Sequence, residues 1–176
     1  MQTPKIETIP DRKAAGFMFD TNLKEFIPRR CAAYWVNCRF NVQMSQEEYD
    51  RFATGALAEI GLWRKKEGSD LMEYFHGSIV DDYSLVTDKA SRVEIPGGLF
   101  AVFTTEGLDM TREGSTEFLF QIMDLWEEIY DEWLEENDEY ELDDTRYSYE
   151  FYGASSGNNE NIMMDIIIPV KRKGQA

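Results

Sequence analysis

Apolar and polar residues follow two similar patterns along this chain, one in each half. The first begins with Ile6-Glu7-Thr8-Ile9-Pro10 and the second with Val93-Glu94-Ile95-Pro96. Each leads into a run of aliphatic and aromatic residues, Ala14 to Phe19 and Leu99 to Phe103. Short apolar runs of this kind, bounded by proline or glycine, are typical of β-strands. The sequence therefore predicts that each half begins with a strand, with a bulge at the proline or glycine.

A helix is predicted after this strand in both halves. In the second half, apolar residues recur at steps of three and four, the spacing of one helix face: Phe118, Ile122, Leu125, Trp126, Ile129, Tyr130, Trp133 and Leu134. Ser115 or Thr116 is the predicted N-cap of this helix. The first half shows similar spacing from Ile27 to Cys38, and a capping box over 45–48 predicts a second, short helix.

Each half is predicted to close with two more strands. Ala58 to Lys65 and Leu71 to Val80 in the first half correspond to Arg146 to Tyr152 and Ile162 to Val170 in the second. The order strand-helix-strand-strand thus occurs twice. The predicted fold is α+β, a curved antiparallel sheet with pseudo-twofold symmetry, helices on one side and a central cleft between the halves.

The length and composition favour one globular domain. The chain has 176 residues, 43% of them hydrophobic, which is too apolar for a disordered acidic segment. No linker rich in proline, serine or glycine divides it. We therefore expect a single domain over residues 1–176, with repeat one at about 4–82 and repeat two at about 91–171.

The charge argues against several partners and cofactors. Because 18 basic residues stand against 34 acidic ones, the formal charge is −16, and we expect no direct binding to nucleic acid or to anionic membranes. No apolar run approaches the ~18 residues of a membrane span, and the first residues do not form a secretory signal, so we expect a cytoplasmic protein. With one histidine and two cysteines, we expect no metal and no other cofactor.

Several segments of the second half resemble the GyrI-like domain, the effector-binding domain of AraC- and MerR-type bacterial transcription regulators. They are Val93–Phe103, Trp126–Leu134, Tyr149–Tyr152 and Ile166–Val170, and the resemblance continues more weakly from Lys5 to Val80. It implies the duplicated fold argued above, and an aromatic-lined pocket for amphipathic, often cationic small molecules. Because the chain has no DNA-binding helix-turn-helix domain, it resembles a stand-alone member of the family.

The resemblance also implies one residue of the pocket. In several members of the family an acidic residue of the penultimate strand faces the pocket, and Glu150 occupies that position here. Side chains expected to contribute stacking surface are Tyr152, Trp63, Trp126, Trp133 and Phe103. From the residues alone, a solvated Glu150 and a core position for Trp126 are the favoured explanations, whereas Trp133 fits the core and the pocket about equally well.

Three functions are compatible with this sequence. The first is a stand-alone protein that binds an amphipathic, aromatic or cationic small molecule beside Glu150. The second is a hydrolase of strained, cyclopropane-bearing toxins, in which Glu150 would be the catalytic carboxylate. The third is an acidic interaction module of the gyrase-inhibitor type, because residues 127–144 include 11 acidic side chains and could engage a basic protein partner. We expect binding rather than catalysis.

Overall fold

Nine antiparallel strands and two helices make up the part of the chain that the structure describes. This structure is a computed structural model, and it describes residues 3–22, 44–53, 58–66, 68–69, 71–153 and 160–174. In chain order the strands are β1 (Lys5–Ile9), β2 (Arg12–Asn22), β3 (Glu59–Lys65), β4 (Leu71–Val80), β5 (Ser91–Ile95), β6 (Gly98–Thr104), β7 (Tyr140–Leu142), β8 (Ser148–Tyr152) and β9 (Asp165–Arg172). The helices are α1 (Gln46–Ala53) and α2 (Ser115–Glu127), and α2 continues through a π-helical turn, Glu128–Trp133, into Leu134–Glu136.

The strand order confirms the predicted fold class. Eight strands form a curled antiparallel sheet in the order β1-β6-β9-β8-β3-β4-β2-β5, and β7 pairs with β9 at its side. Exchanging the strands of the first half for those of the second reproduces this order, which is the predicted pseudo-twofold symmetry. The repeat boundaries at 4–82 and 91–171 stay a prediction.

The pseudo-twofold axis passes through the middle of the sheet, between β3 and β8. In their antiparallel register Glu59 faces Tyr152 and Trp63 faces Ser148, while Gly61 faces Glu150 at the centre. The register is unchanged when the two strands are exchanged. Gly61 and Glu150 are therefore equivalent positions of the two halves.

The prediction of one bulged strand at the start of each half is wrong. A turn divides each run into two strands, because the strand on either side of the turn pairs differently: β1 pairs with β6, whereas β2 pairs with β4 and β5. The two turns meet at one end of the sheet, where the Gly97 amide donates a hydrogen bond of 2.7 Å to Asp11 Oδ1. The sheet thus curls far enough for the two turns to be hydrogen-bonded to each other.

The core lies on both faces of this curled sheet. The apolar face of α2 and the π-helical turn packs on β6 and β9 in a cluster that includes Phe103, Ile122, Ile129, Trp133 and Ile166. On the same face of the sheet, α1 packs Tyr49 and Phe52 against Phe17 of β2. The opposite face of the sheet encloses a second cluster that includes Leu62, Phe75, Phe100 and Tyr149.

The helix ends test two predictions of local structure. The capping box is confirmed, because the Ser45 amide donates to Glu48 Oε2 at 2.8 Å and the Glu48 amide donates to Ser45 Oγ at 3.2 Å. The predicted N-cap of α2 is wrong: Gly114 precedes the helix with a φ of 85°, a conformation that favours glycine.

The helix predicted from Ile27 to Cys38 lies outside the described residues. None of the helices described is both long and apolar enough to span a membrane.

Candidate functional site

Glu150 lies at the centre of the sheet face that carries the helices. On β8 it alternates with Tyr149 and Phe151, so its side chain shares a face with Ser148 and Tyr152. Across the sheet it faces Ile166 of β9 on one side and Gly61 of β3 on the other. Because β8 is paired with a strand on each side, the backbone position that carries this half-buried carboxylate is held in place.

Two hydrogen bonds orient the carboxylate. The Trp126 indole Nε1 donates to Oε1 of Glu150 at 3.1 Å, and the Tyr152 hydroxyl donates to Oε2 at 2.8 Å. One donor comes from α2 and the other from β8 itself. The site therefore depends on the position of α2 over the sheet.

Gly61 allows two side chains to lie close to the backbone of β3. A Cβ atom at Gly61 would lie 2.8 Å from the Tyr74 hydroxyl oxygen and 3.4 Å from Glu150 Oε2. A distance of 2.8 Å is shorter than real Cβ contacts, so a side chain at position 61 would displace Tyr74. Glycine thus allows the Tyr74 hydroxyl to lie next to Glu150.

Four aromatic rings form a continuous wall above the sheet. The rings of Trp63 and Trp126 are 4.2 Å apart between centroids and tilted by 59°. Trp63 stacks on Tyr74 at 6.4 Å, and Trp126 stacks on Tyr130 at 5.8 Å. Aromatic faces attract cations, and this wall adjoins the carboxylate through Trp126.

Burial and hydrogen bonding determine the electrostatics of the site. Burial raises the pKa of Glu150 above its ordinary value, and the hydrogen bonds from Tyr152 and Trp126 offset part of this effect. Burial and then the charge of Glu150 raise the pKa of Tyr152 well above the ordinary tyrosine value. In the ranges that the structure describes, no lysine or arginine forms an ion pair with Glu150.

The structure brings together four of the six side chains that the sequence nominates: Glu150, Tyr152, Trp126 and Trp63. The other two, Phe103 and Trp133, pack edge to face at 5.2 Å within the core cluster under α2. Trp126 and Tyr152 pack against that cluster. A direct ligand contact for Phe103 and Trp133 stays a prediction.

Sequence reasoning missed Tyr74, Tyr130 and the role of Gly61. Tyr130 appears in the helical periodicity, but its stacking on Trp126 places it in the wall rather than in the core. Tyr74 reaches the site because it faces Trp63 in the β3–β4 register. The signal available in the sequence was the alternation of Gly61 with Trp63, since glycine inside a strand often marks a close approach.

The acidic stretch forms a separate surface along the helix. Asp124, Glu127, Glu128, Asp131 and Glu132 line an open groove of about 460 Å³. Within the described ranges, no three His, Cys, Asp or Glu side chains are grouped in a way that could hold a metal ion.

Comparisons with known proteins find chains of similar fold. The chain matches SAV2435, in a structure bound to tetraphenylphosphonium, with 13% identity and a TM-score of 0.72 over 97% of this chain and 94% of that one. It also matches VCH_CASS2, an integron cassette protein from the mobile metagenome of Vibrio cholerae, with 16% identity and a TM-score of 0.62 over 97% of both chains. At these identities the likeness concerns the fold. No curated protein sequence matches the chain significantly.

The fold and the comparisons identify the chain as a GyrI-like effector-binding protein, as the resemblance in its sequence implied. More narrowly, a model of the family described as integron-associated effector binding protein, Cass2, matches residues 5–170. The chain belongs to this family.

Proposed function

We propose that this protein binds an amphipathic aromatic cation in the cleft between Glu150 and the aromatic wall formed by Trp63, Trp126, Tyr74 and Tyr130. The family binds effectors, and the proposal adds the chemical class of the ligand and the side chains that hold it. Glu150 supplies the negative charge, and the rings supply stacking surface. Tyr152 and Trp126 hold the carboxylate in place.

The observation that carries this proposal is the environment of Glu150. Its carboxylate is half-buried, both oxygens accept a hydrogen bond from a neutral donor, and no described cation neutralises it. Leaving an ionised group in such surroundings is costly unless a counter-ion arrives. A ligand cation placed between the carboxylate and the ring faces would be attracted electrostatically by both.

The nature of the walls supports an aromatic ligand. The four rings pack against one another in tilted or stacked pairs, and such pairs are worth about 0.5–1.5 kcal/mol beyond the area that they bury. Tetraphenylphosphonium, a lipophilic cation with four phenyl groups, is bound in the structure of the similar protein SAV2435. It is therefore the first probe for this chain.

The experiment is a titration with tetraphenylphosphonium, followed by tryptophan fluorescence, because Trp63 and Trp126 adjoin the site. We expect saturable binding that is about tenfold weaker in Glu150→Gln, in line with the loss of a partly buried charge pair. Glu7→Gln is the matched control, since it removes an exposed carboxylate on the outer strand β1. Absence of saturable binding, or equal binding by Glu150→Gln, contradicts the proposal.

Hydrolysis is the second candidate function, and the raised pKa of Glu150 is the observation that favours it. A carboxyl group with a raised pKa keeps its proton to a higher pH than an exposed carboxyl group and can act as a general acid or base. The aromatic wall would hold a planar electrophile beside it. Product formation from a cyclopropane-bearing electrophile, lost in Glu150→Gln, would establish catalysis. Saturable binding of the same compound without product would establish binding alone.

A further inference from the structure

A second carboxylate lies near the site, on the other half of the sheet. Glu59 is half-buried and precedes Gly61 by two residues on β3, so it shares the face of Gly61 and Trp63. It directly faces Tyr152 of β8 on one side and Ser78 of β4 on the other. Glu59 and Glu150 are thus diagonal neighbours across the β3–β8 pair, a geometry that places their Cβ atoms within about 7 Å.

Tyr152 links the two carboxylates. Its hydroxyl donates to Glu150 Oε2 at 2.8 Å, and its backbone position faces Glu59. The pKa of Tyr152 is raised first by burial and then by the charge of Glu150, and the charge of Glu59 raises it further. The Tyr152 hydroxyl therefore experiences both negative charges, which places the Glu59 carboxylate within electrostatic range of the site.

The positions related by the pseudo-twofold axis carry different charges. The position equivalent to Glu150 is Gly61, and the position equivalent to Glu59 is Ser148. The aromatic wall reaches Ser148, whose hydroxyl is 3.4 Å from that of Tyr130. The site consequently has rings at the Trp63 end of the central strand pair and carboxylate at the Glu59 end.

We propose that Glu59 is a second anionic subsite, and that the protein prefers aromatic cations that carry a second positive charge a few ångströms from the first. This inference rests on the proposed function, because it assigns Glu150 to the first charge. The rings hold the planar part of the ligand, Glu150 pairs with the positive charge nearest to it, and the second charge extends along β3 toward Glu59.

Ethidium and propidium form a matched pair of probes for this proposal. Both carry the same phenanthridinium ring, and propidium adds a quaternary ammonium three methylene groups from the ring nitrogen. We expect wild type to bind propidium about three- to tenfold more tightly than ethidium. Glu59→Gln should lose most of this preference while its affinity for ethidium changes by less than about twofold.

Three control variants separate a local effect from a general one. Glu7→Gln removes one negative charge, as Glu59→Gln does, and should keep the preference, which excludes attraction by the overall charge of −16. Glu59→Asp retains the carboxylate and should also keep it, so that a loss confined to Glu59→Gln reflects charge rather than packing. Glu150→Gln should weaken both dyes.

Two results would overturn the inference. In the first, Glu59→Gln keeps the wild-type preference for propidium. In the second, Glu59→Gln weakens both dyes equally. Either result would leave the proposed function standing if tetraphenylphosphonium still binds in a manner that depends on Glu150. If neither dye nor tetraphenylphosphonium binds wild type, the proposed function fails and the inference fails with it.

Discussion

Gly61 and Glu150 face each other across the central strand pair, on the pseudo-twofold axis of the sheet. The two halves therefore place a residue without a side chain and a carboxylate at equivalent positions. The Tyr74 hydroxyl and the Glu150 carboxylate occupy the place that a side chain at Gly61 would take. A symmetric backbone thus produces a site with a single central charge, and the predictions below follow from this relationship.

Gly61→Ala should disturb the site through Tyr74. The new methyl group would meet the Tyr74 hydroxyl at 2.8 Å. Overpacking of this kind typically costs about 1–3 kcal/mol of the free energy of unfolding. We expect a lower urea midpoint and weaker binding of tetraphenylphosphonium, measured by equilibrium unfolding and by fluorescence titration.

Tyr74→Phe provides the matched test of that explanation. It removes the hydroxyl that the added methyl group would meet, so the double variant Gly61→Ala/Tyr74→Phe should recover most of the stability that Gly61→Ala loses relative to wild type. If the two substitutions are simply additive, the cost of Gly61→Ala arises elsewhere than at Tyr74.

Glu150→Gln should change the pH dependence of stability. The folded pKa of Glu150 is raised above its ordinary value of 4.5. Below pH 4.5 the carboxyl group is protonated in both folded and unfolded chains, so it imposes no penalty. As the pH rises toward the folded pKa, the unfolded chain ionises first, which lowers the stability of wild type, and above that pKa the loss is complete.

Thermal unfolding of wild type and Glu150→Gln between pH 4 and 8 measures this effect. The midpoint of the variant should rise relative to that of wild type as the pH increases. Glu7→Gln should follow wild type, since Glu7 is exposed on the outer strand β1. A variant midpoint that stays constant or falls relative to that of wild type with increasing pH would show that the pKa of Glu150 is not raised in the folded chain.

The affinity for a permanent cation should increase with pH. Only the ionised form of Glu150 attracts the ligand, so a proton competes with the cation below the raised pKa. Tetraphenylphosphonium does not titrate, and the midpoint of its affinity curve therefore reports the pKa of the site. We expect the midpoint to lie above 4.5, and a flat profile from pH 4 to 8 would exclude an acidic site.

Trp126→Phe should move this midpoint upward. The indole Nε1 donates to the carboxylate and lowers its pKa, and phenylalanine keeps a ring but loses the donor. A hydrogen bond to a charged group is worth about 1.5–3 kcal/mol, which corresponds to a shift of about one to two pH units. Trp133→Phe is the control on the same helical run. It should lower the thermal midpoint without moving the pH midpoint, because Trp133 packs on Phe103.

The fold was predictable because its signals are local. Helical spacing from Phe118 to Leu134 and alternation in the strands specify the elements, and the recurrence of the same order specifies the duplication. Local signals do not reveal that the chain changes strand partner after Pro10 and Pro96, so each first strand is divided in two. The π-helical turn Glu128–Trp133 also lies within an uninterrupted helical pattern.

The site was only partly predictable because it depends on register. The sequence nominated Glu150, Trp126, Tyr152 and Trp63, which do meet. Tyr74 joins them only because β4 places it opposite Trp63, a pairing that one strand cannot specify by itself. Glu59 approaches Tyr152 through the pairing of β3 with β8, which joins the two halves of the chain.

The central claim is that one half-buried carboxylate among aromatic rings selects ligands by positive charge. Tetraphenylphosphonium and tetraphenylborate test it most directly, because they have the same shape and opposite charges. Titration of wild type and Glu150→Gln with both ions, with Glu7→Gln as the control for net charge, gives the selectivity of each protein. The account predicts strong preference for the cation in wild type and in Glu7→Gln, reduced at least about tenfold in Glu150→Gln. An undiminished preference in Glu150→Gln would contradict it.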